Sequence, residues 1–141
     1  MRTEFTAEGI DDLSGIAQKI IELMEDDRIL LMRGDLGAGK TSLVKELIKS
    51  LGSTDEGSSP TYSLVNEYLN EDGSNIYHLD LYRIEDKQEL IEIGLEDILY
   101  SGSYCFIEWP DIAVDIIPEE AINLEIKTLD EHRRKILIFR E

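Results

Sequence analysis

The stretch Gly34-Asp35-Leu36-Gly37-Ala38-Gly39-Lys40-Thr41 fits the pattern G-x-x-x-x-G-K-[ST] at every fixed position. That pattern answers a physical demand. Concentrated phosphate charge is held by many short hydrogen bonds, so Gly34, Gly37 and Gly39 let the chain curl tightly and turn backbone N–H groups inward. Lys40 adds a point charge for the outer phosphates, and the Thr41 hydroxyl is placed to hold Mg²⁺. The segment from Lys40 onward opens a helix whose N-terminal dipole favours the same anion. Both flanks agree. Arg28-Ile-Leu-Leu-Met32 is an apolar run of strand length, and Leu43, Val44, Leu47, Ile48 and Leu51 repeat at helical spacing until Gly52. Strand, glycine loop and helix in that order are what the motif requires.

The rest of the chain reads as one α/β domain of 141 residues. Residues 2–6 form a short edge strand. Leu13, Ile16, Ala17, Ile20 and Met24 give the stripe of an amphipathic helix, with Asp11 and Asp12 suited to its positive end. Residues 53–60 form a polar connection without periodicity, a mobile loop by composition. Residues 63–69 and 75–81 read as strands joined by the turn residues Asn70-Glu-Asp-Gly73, hence a hairpin. Two short helices follow, over residues 87–93 and 95–100, separated by Gly94. Tyr104 to Ile107 is a compact strand closed by Glu108-Trp-Pro110, and residues 122–126 and 135–139 form two more. No repeat and no linker interrupts this order.

In open α/β sheets, ligands sit beyond the carboxyl ends of the parallel strands. Three strand ends therefore compete for the phosphates: the loop after Met32, Asp80 after the run from Ile76, and Glu108 after Tyr104-Cys-Phe-Ile107. A phosphate-loop enzyme needs an acidic group for Mg²⁺ or its water shell, and often a second to position attacking water. Residue order does not allocate the two roles between Asp80 and Glu108. Ser59-Pro60-Thr61-Tyr62 stands where a nucleotide switch would report on the terminal phosphate, and equally where a proline turn would lead into a hairpin. His78 alternates with its strand neighbours and reads as a packing residue. Trp109 suits either the core or an aromatic surface near the nucleotide. No Asn-Lys-x-Asp stretch occurs, so ATP is preferred over GTP. The region before the first helix and the Arg133–Arg134 turn are the places for an adenine contact.

Charge narrows the partners. With 31 acidic against 14 basic residues, the formal charge of −17 opposes free-standing binding to DNA or RNA. It fits a solvated surface, and equally docking to a basic patch on a partner. Cys105 is the single cysteine, so no internal disulfide forms, and its apolar run marks a buried structural thiol. The first eight residues lack an apolar signal core, and no run reaches the roughly 18 apolar residues of a membrane span. The expected compartment is the cytoplasm.

Five motifs then occur in sequence: the phosphate loop at 34–41, Ser59-Pro-Thr-Tyr62, Tyr77-His-Leu-Asp-Leu-Tyr-Arg83, Glu89-Leu-Ile-Glu-Ile-Gly94 and Ile107-Glu-Trp-Pro110. In order and spacing they resemble the TsaE (YjeE) family. Ser42 stands where that family often has a second threonine, and Leu79 where phenylalanine is frequent; neither change removes a hydroxyl or carboxylate. The resemblance implies a phosphate-loop α/β domain, parallel strands flanked by antiparallel ones and helices on both faces. It implies a small Mg²⁺-dependent ATPase that supports a TsaB–TsaD heterodimer in forming threonylcarbamoyladenosine in tRNA, meeting tRNA only through the complex. Carried over by motif, Gly37, Ala38, Gly39, Lys40, Thr41 and Ser42 bind the nucleotide, Thr61 belongs to the switch loop and Trp109 lies near the pocket. Thr41, Glu108 and Asp80 are the metal-side groups, and Lys40, Asp80 and Glu108 the catalytic ones. Two rival activities use the same loop: a small-molecule kinase, and a nucleotide-gated binding module without useful hydrolysis.

Overall fold

The structure is a computed structural model, and it describes residues 1–55 and 64–140. Ser59, Pro60, Thr61 and Tyr62 therefore lie outside the described residues, as does Ser63, where the first hairpin strand was expected to begin.

Strand β2 (Ile29–Arg33) sits at the centre because its first four residues are apolar on both faces and all four are buried. Its alternating side chains feed two cores: Leu30 and Met32 enter one, Ile29 and Leu31 the other. Strand β5 (Tyr104–Glu108) pairs parallel on one side of β2, and β6 (Ile122–Thr128) on the other. Beyond β5 lies β4 (Asn75–Asp80), also parallel, and then β3 (Val65–Leu69), its antiparallel hairpin partner. Beyond β6 come β7 (Arg134–Phe139) and the edge strand β1 (Arg2–Ala7), both antiparallel. The sheet thus runs β1-β7-β6-β2-β5-β4-β3, with four parallel strands in the middle and antiparallel strands at each edge.

Helices cover both faces. α1 (Leu13–Met24) buries Leu13, Ile16, Ala17, Ile20 and Met24. α2 (Lys40–Ser50) buries Leu43, Val44, Leu47 and Ile48, and the two helices pack together over the core that contains Leu30, Met32 and Phe106. α3 (Lys87–Glu92) and α4 (Leu95–Leu99) contribute Leu90, Leu95 and Leu99 to the opposite core, with Leu79, Cys105 and Ile107. Burial there pushes the Cys105 thiol up to about 12, so it stays protonated in the folded chain at neutral pH. No helix among the described residues is long and apolar enough to cross a membrane.

Two 3-10 turns were not legible in the sequence, Ile10–Asp12 and Pro110–Ala113. The first changes the role of Asp12. Because the 3-10 turn runs straight into α1, Asp12 makes no side-chain cap to that helix, and its Oδ2 accepts from the Glu8 N–H at 2.7 Å instead. The second turn begins directly after β5, where Pro110 occupies the opening position that needs no N–H donor.

Candidate nucleotide site

The phosphate loop leaves the carboxyl end of β2 at Arg33 and closes onto α2 at Lys40. Its turn is held by Ala38 N–H donating to the Asp35 carbonyl at 3.0 Å. Gly39 precedes the helix at φ +104°, a left-handed conformation that a side chain would strain. Gly34 serves a different need, close approach. A Cβ there would lie 2.7 Å from the Ile126 carbonyl oxygen and 2.7 Å from its Cγ2, so β6 backbone occupies the space of any side chain. The expected result for Gly34→Ala is a displaced loop and a loss of about 1–3 kcal/mol, typical of overpacking against backbone, read as a lower melting temperature together with weaker nucleotide binding. A variant with wild-type stability would show that the loop yields without cost.

Strand register assembles the acidic side. Met32 of β2 pairs with Glu108 of β5, and Glu108 pairs with Asp80 of β4, so the three strand ends stand level. The Glu108 carboxylate is buried and accepts from the Thr41 hydroxyl, at 2.9 Å to Oε2 and 3.3 Å to Oε1. Asp80 is exposed, and its Oδ1 accepts from the Tyr82 N–H at 3.1 Å. Lys40 is buried between these groups. Its ammonium donates to the Gly34 carbonyl and, at 3.4 Å, to that of Asp35, and lies 3.9 Å from the centre of the Trp109 ring. Burial pulls its pKa below the ordinary lysine value, while the charges of Glu108, Asp80 and Asp35 act in the opposite direction.

Trp109 reaches Lys40 through a left-handed backbone, φ +56° and ψ +58°, which turns the chain out of β5 into Pro110–Ala113. Such a conformation is uncommon for a bulky residue. Tyr82 tilts against the indole with ring centroids 4.8 Å apart. His78, expected only to pack, is buried as expected but also polar in its role: its Nε2 lies 2.5 Å from Glu108 Oε2. Arg33 is committed elsewhere. Its guanidinium donates to Asp111 Oδ1 at 3.0 and 3.1 Å and to Asn123 Oδ1 at 2.8 Å.

A cavity of about 320 Å³ opens beside the loop, lined by Gly9, Ile10, Leu13, Ala38, His132 and Arg134 among others. Arg134 also ties β7 to the loop, its Nε donating to the Ala38 carbonyl at 3.0 Å. The segment before α1 and the turn before β7, separate in sequence, thus meet at the phosphate loop.

The donor set fits a phosphate-bound Mg²⁺. Among the described residues no group of three or more His, Cys, Asp or Glu forms a protein-only metal cage. A hydroxyl and a carboxylate in contact, at the mouth of a phosphate loop, are instead the sparse protein contribution typical of Mg²⁺ on a nucleotide, with phosphate oxygens and water supplying the rest.

Residues 8–136 match the family described as threonylcarbamoyl adenosine biosynthesis protein TsaE. The chain belongs to the TsaE family. It is similar to the tRNA threonylcarbamoyladenosine biosynthesis protein TsaE of Haemophilus influenzae, with 40% identity over 123 residues, 86% of this chain and 77% of that one. It is 32% identical to the Bacillus subtilis protein of the same name over 126 residues, 89% of this chain and 78% of that one. The crystal structure of Bacillus subtilis YdiB superposes with a TM-score of 0.73 at 24% identity, covering 98% of this chain and 84% of that one, a likeness of fold.

Proposed function

We propose that this TsaE-family protein binds Mg²⁺-ATP at residues 34–42 and hydrolyses it to support a TsaB–TsaD pair in making threonylcarbamoyladenosine in tRNA. The observation that carries the reading is the level end of β2, β5 and β4, which sets Lys40, Thr41, Glu108 and Asp80 around one phosphate loop. The names of its relatives supply the pathway.

In this reading each residue has a task. Lys40 exchanges the loop carbonyls for phosphate oxygens, and the leading N–H groups of α2 face the same anion. Thr41 and Glu108 hold Mg²⁺, which neutralises charge on the phosphates when bound. Asp80, exposed beside Glu108, is free to orient water for attack on the terminal phosphate. The cavity bounded by Ile10 and Arg134 takes the adenine. Thr61 joins the site as a switch residue. With Arg33 engaged by Asp111 and Asn123, that arginine is not held toward the loop, and slow turnover is expected of the isolated protein.

The partner surface lies around the same mouth. Leu36 in the loop and Tyr82 beside Trp109 are well exposed, at 65% and 50%, and offer apolar contact where the nucleotide state is felt. The net charge of −17 would keep tRNA off this chain and suit docking to a basic face. The test is ATP turnover and co-purification with a TsaB–TsaD pair. The expected outcome is association that depends on ATP and a rise in hydrolysis of about tenfold or more, as completion of a phosphoryl-transfer site by a partner provides. Association without any hydrolysis would favour a nucleotide-gated binding module, and no association would remove the assigned role.

A further inference from the structure

We infer that His78 is a positioning residue for Glu108, setting the carboxylate that faces the nucleotide's metal; the inference rests on the site proposed above. His78 and Asp80 are two residues apart on β4 and so project from the same face of the sheet. Asp80 pairs with Glu108 in the parallel ladder, and His78 pairs with Phe106, two residues earlier on β5. His78 is therefore a diagonal neighbour of Glu108, and the imidazole bridges that diagonal to place Nε2 at 2.5 Å from Oε2. Both side chains are all but removed from water, 7% and 4% exposed.

Burial gives this contact its force. A carboxylate taken out of water needs hydrogen-bond donors to satisfy its oxygens and hold it in place. Glu108 Oε2 receives one from the Thr41 hydroxyl and, when its partner is the Nε2–H tautomer, a second from His78. Thr41 has another duty, since its oxygen is also offered to Mg²⁺ in the proposed site. His78 has none at the phosphates, so its hydrogen bond is the one that fixes the carboxylate whichever way the Thr41 hydroxyl turns. Partners of this kind around metal ligands are generally worth about 10–100-fold in metal affinity.

The test uses the full chain and Mn²⁺ as the probe, with electron paramagnetic resonance reading its binding to the ATP complex. ATP affinity in EDTA is measured alongside. His78→Leu is expected to weaken Mn²⁺ binding about tenfold or more while metal-free ATP affinity changes by less than about threefold. His78→Gln, whose amide can reproduce an Nε2 donor, is expected to recover most of the loss; His78→Asn, with a shorter reach, is not. Should His78→Leu fail to fold, the contrast between Gln and Asn decides the matter. Equal Mn²⁺ affinity across folded variants, or a parallel fall in metal-free ATP affinity, would overturn the assignment and leave His78 a packing residue. A wild-type chain that binds neither ATP nor its Mn²⁺ complex would instead strike at the nucleotide site itself.

Discussion

Lys40→Ala is expected to lose ATP binding by about 100-fold or more, and hydrolysis with it. The magnitude follows from what the ammonium does. A charged hydrogen bond is worth about 1.5–3 kcal/mol, and an ammonium serving two phosphate oxygens supplies two, against about 1.4 kcal/mol for each factor of ten. The fold should survive the change. Lys40 makes its present bonds to the Gly34 and Asp35 carbonyls of its own loop and rests against Trp109, while the apolar residues that seat α2 are Leu43, Val44, Leu47 and Ile48. Calorimetric titration with Mg²⁺-ATP, with a melting curve as control, reads the result. A folded variant with near wild-type affinity would mean that the loop amides alone hold the phosphates.

Glu108→Gln separates the two halves of the site. Metal-free ATP affinity should fall by less than about tenfold, because the loop and Lys40 are untouched, whereas hydrolysis should drop by about 10²–10⁴-fold, the range for removing a positioned catalytic group. The amide is nearly the shape of the carboxylate, so the contacts to Thr41 and His78 test charge rather than packing. Asp80→Asn shares the expectation for hydrolysis, but the exposed Asp80 has no comparable buried partners to disturb among the described residues. Single-turnover rates at saturating Mg²⁺-ATP make the measurement. Loss of binding in step with loss of hydrolysis would assign Glu108 to holding the loop instead of acting on the phosphates.

Much of the fold was legible because its signals are local. The stripe Leu13, Ile16, Ala17, Ile20 and Met24 is the set that α1 buries, and the apolar runs before Asp80 and Glu108 announce two strands that end in carboxylates. What the sequence could not show depends on register between distant segments. His78 and Glu108 are 30 residues apart, and only the pairing of β4 with β5 decides that the imidazole meets the carboxylate. A signal was present all the same: His78 shares its strand face with Asp80, so a polar residue expected to pack already lay on the acidic side of the sheet. The residues alone left Trp109 open between the core and the nucleotide, and only the family resemblance put it near the pocket, since its left-handed backbone, not its neighbours, aims the indole at Lys40. Arg33 lies next to the loop in sequence yet turns to Asp111 and Asn123, which stand near the starts of the Pro110–Ala113 turn and of β6, 78 and 90 residues away in sequence. Thr61 and the rest of 56–63 lie outside the described residues.

The central claim is that one loop, one lysine and two acids enclose a single Mg²⁺-ATP. Its most direct test is a structure of the protein with Mg²⁺ and a non-hydrolysable ATP analogue. The account predicts phosphates along residues 34–42, Lys40 moved from the Gly34 carbonyl onto them, and the metal within reach of Thr41 and Glu108, directly or through one water. An analogue bound away from the loop, or a metal facing neither Glu108 nor Asp80, would contradict it.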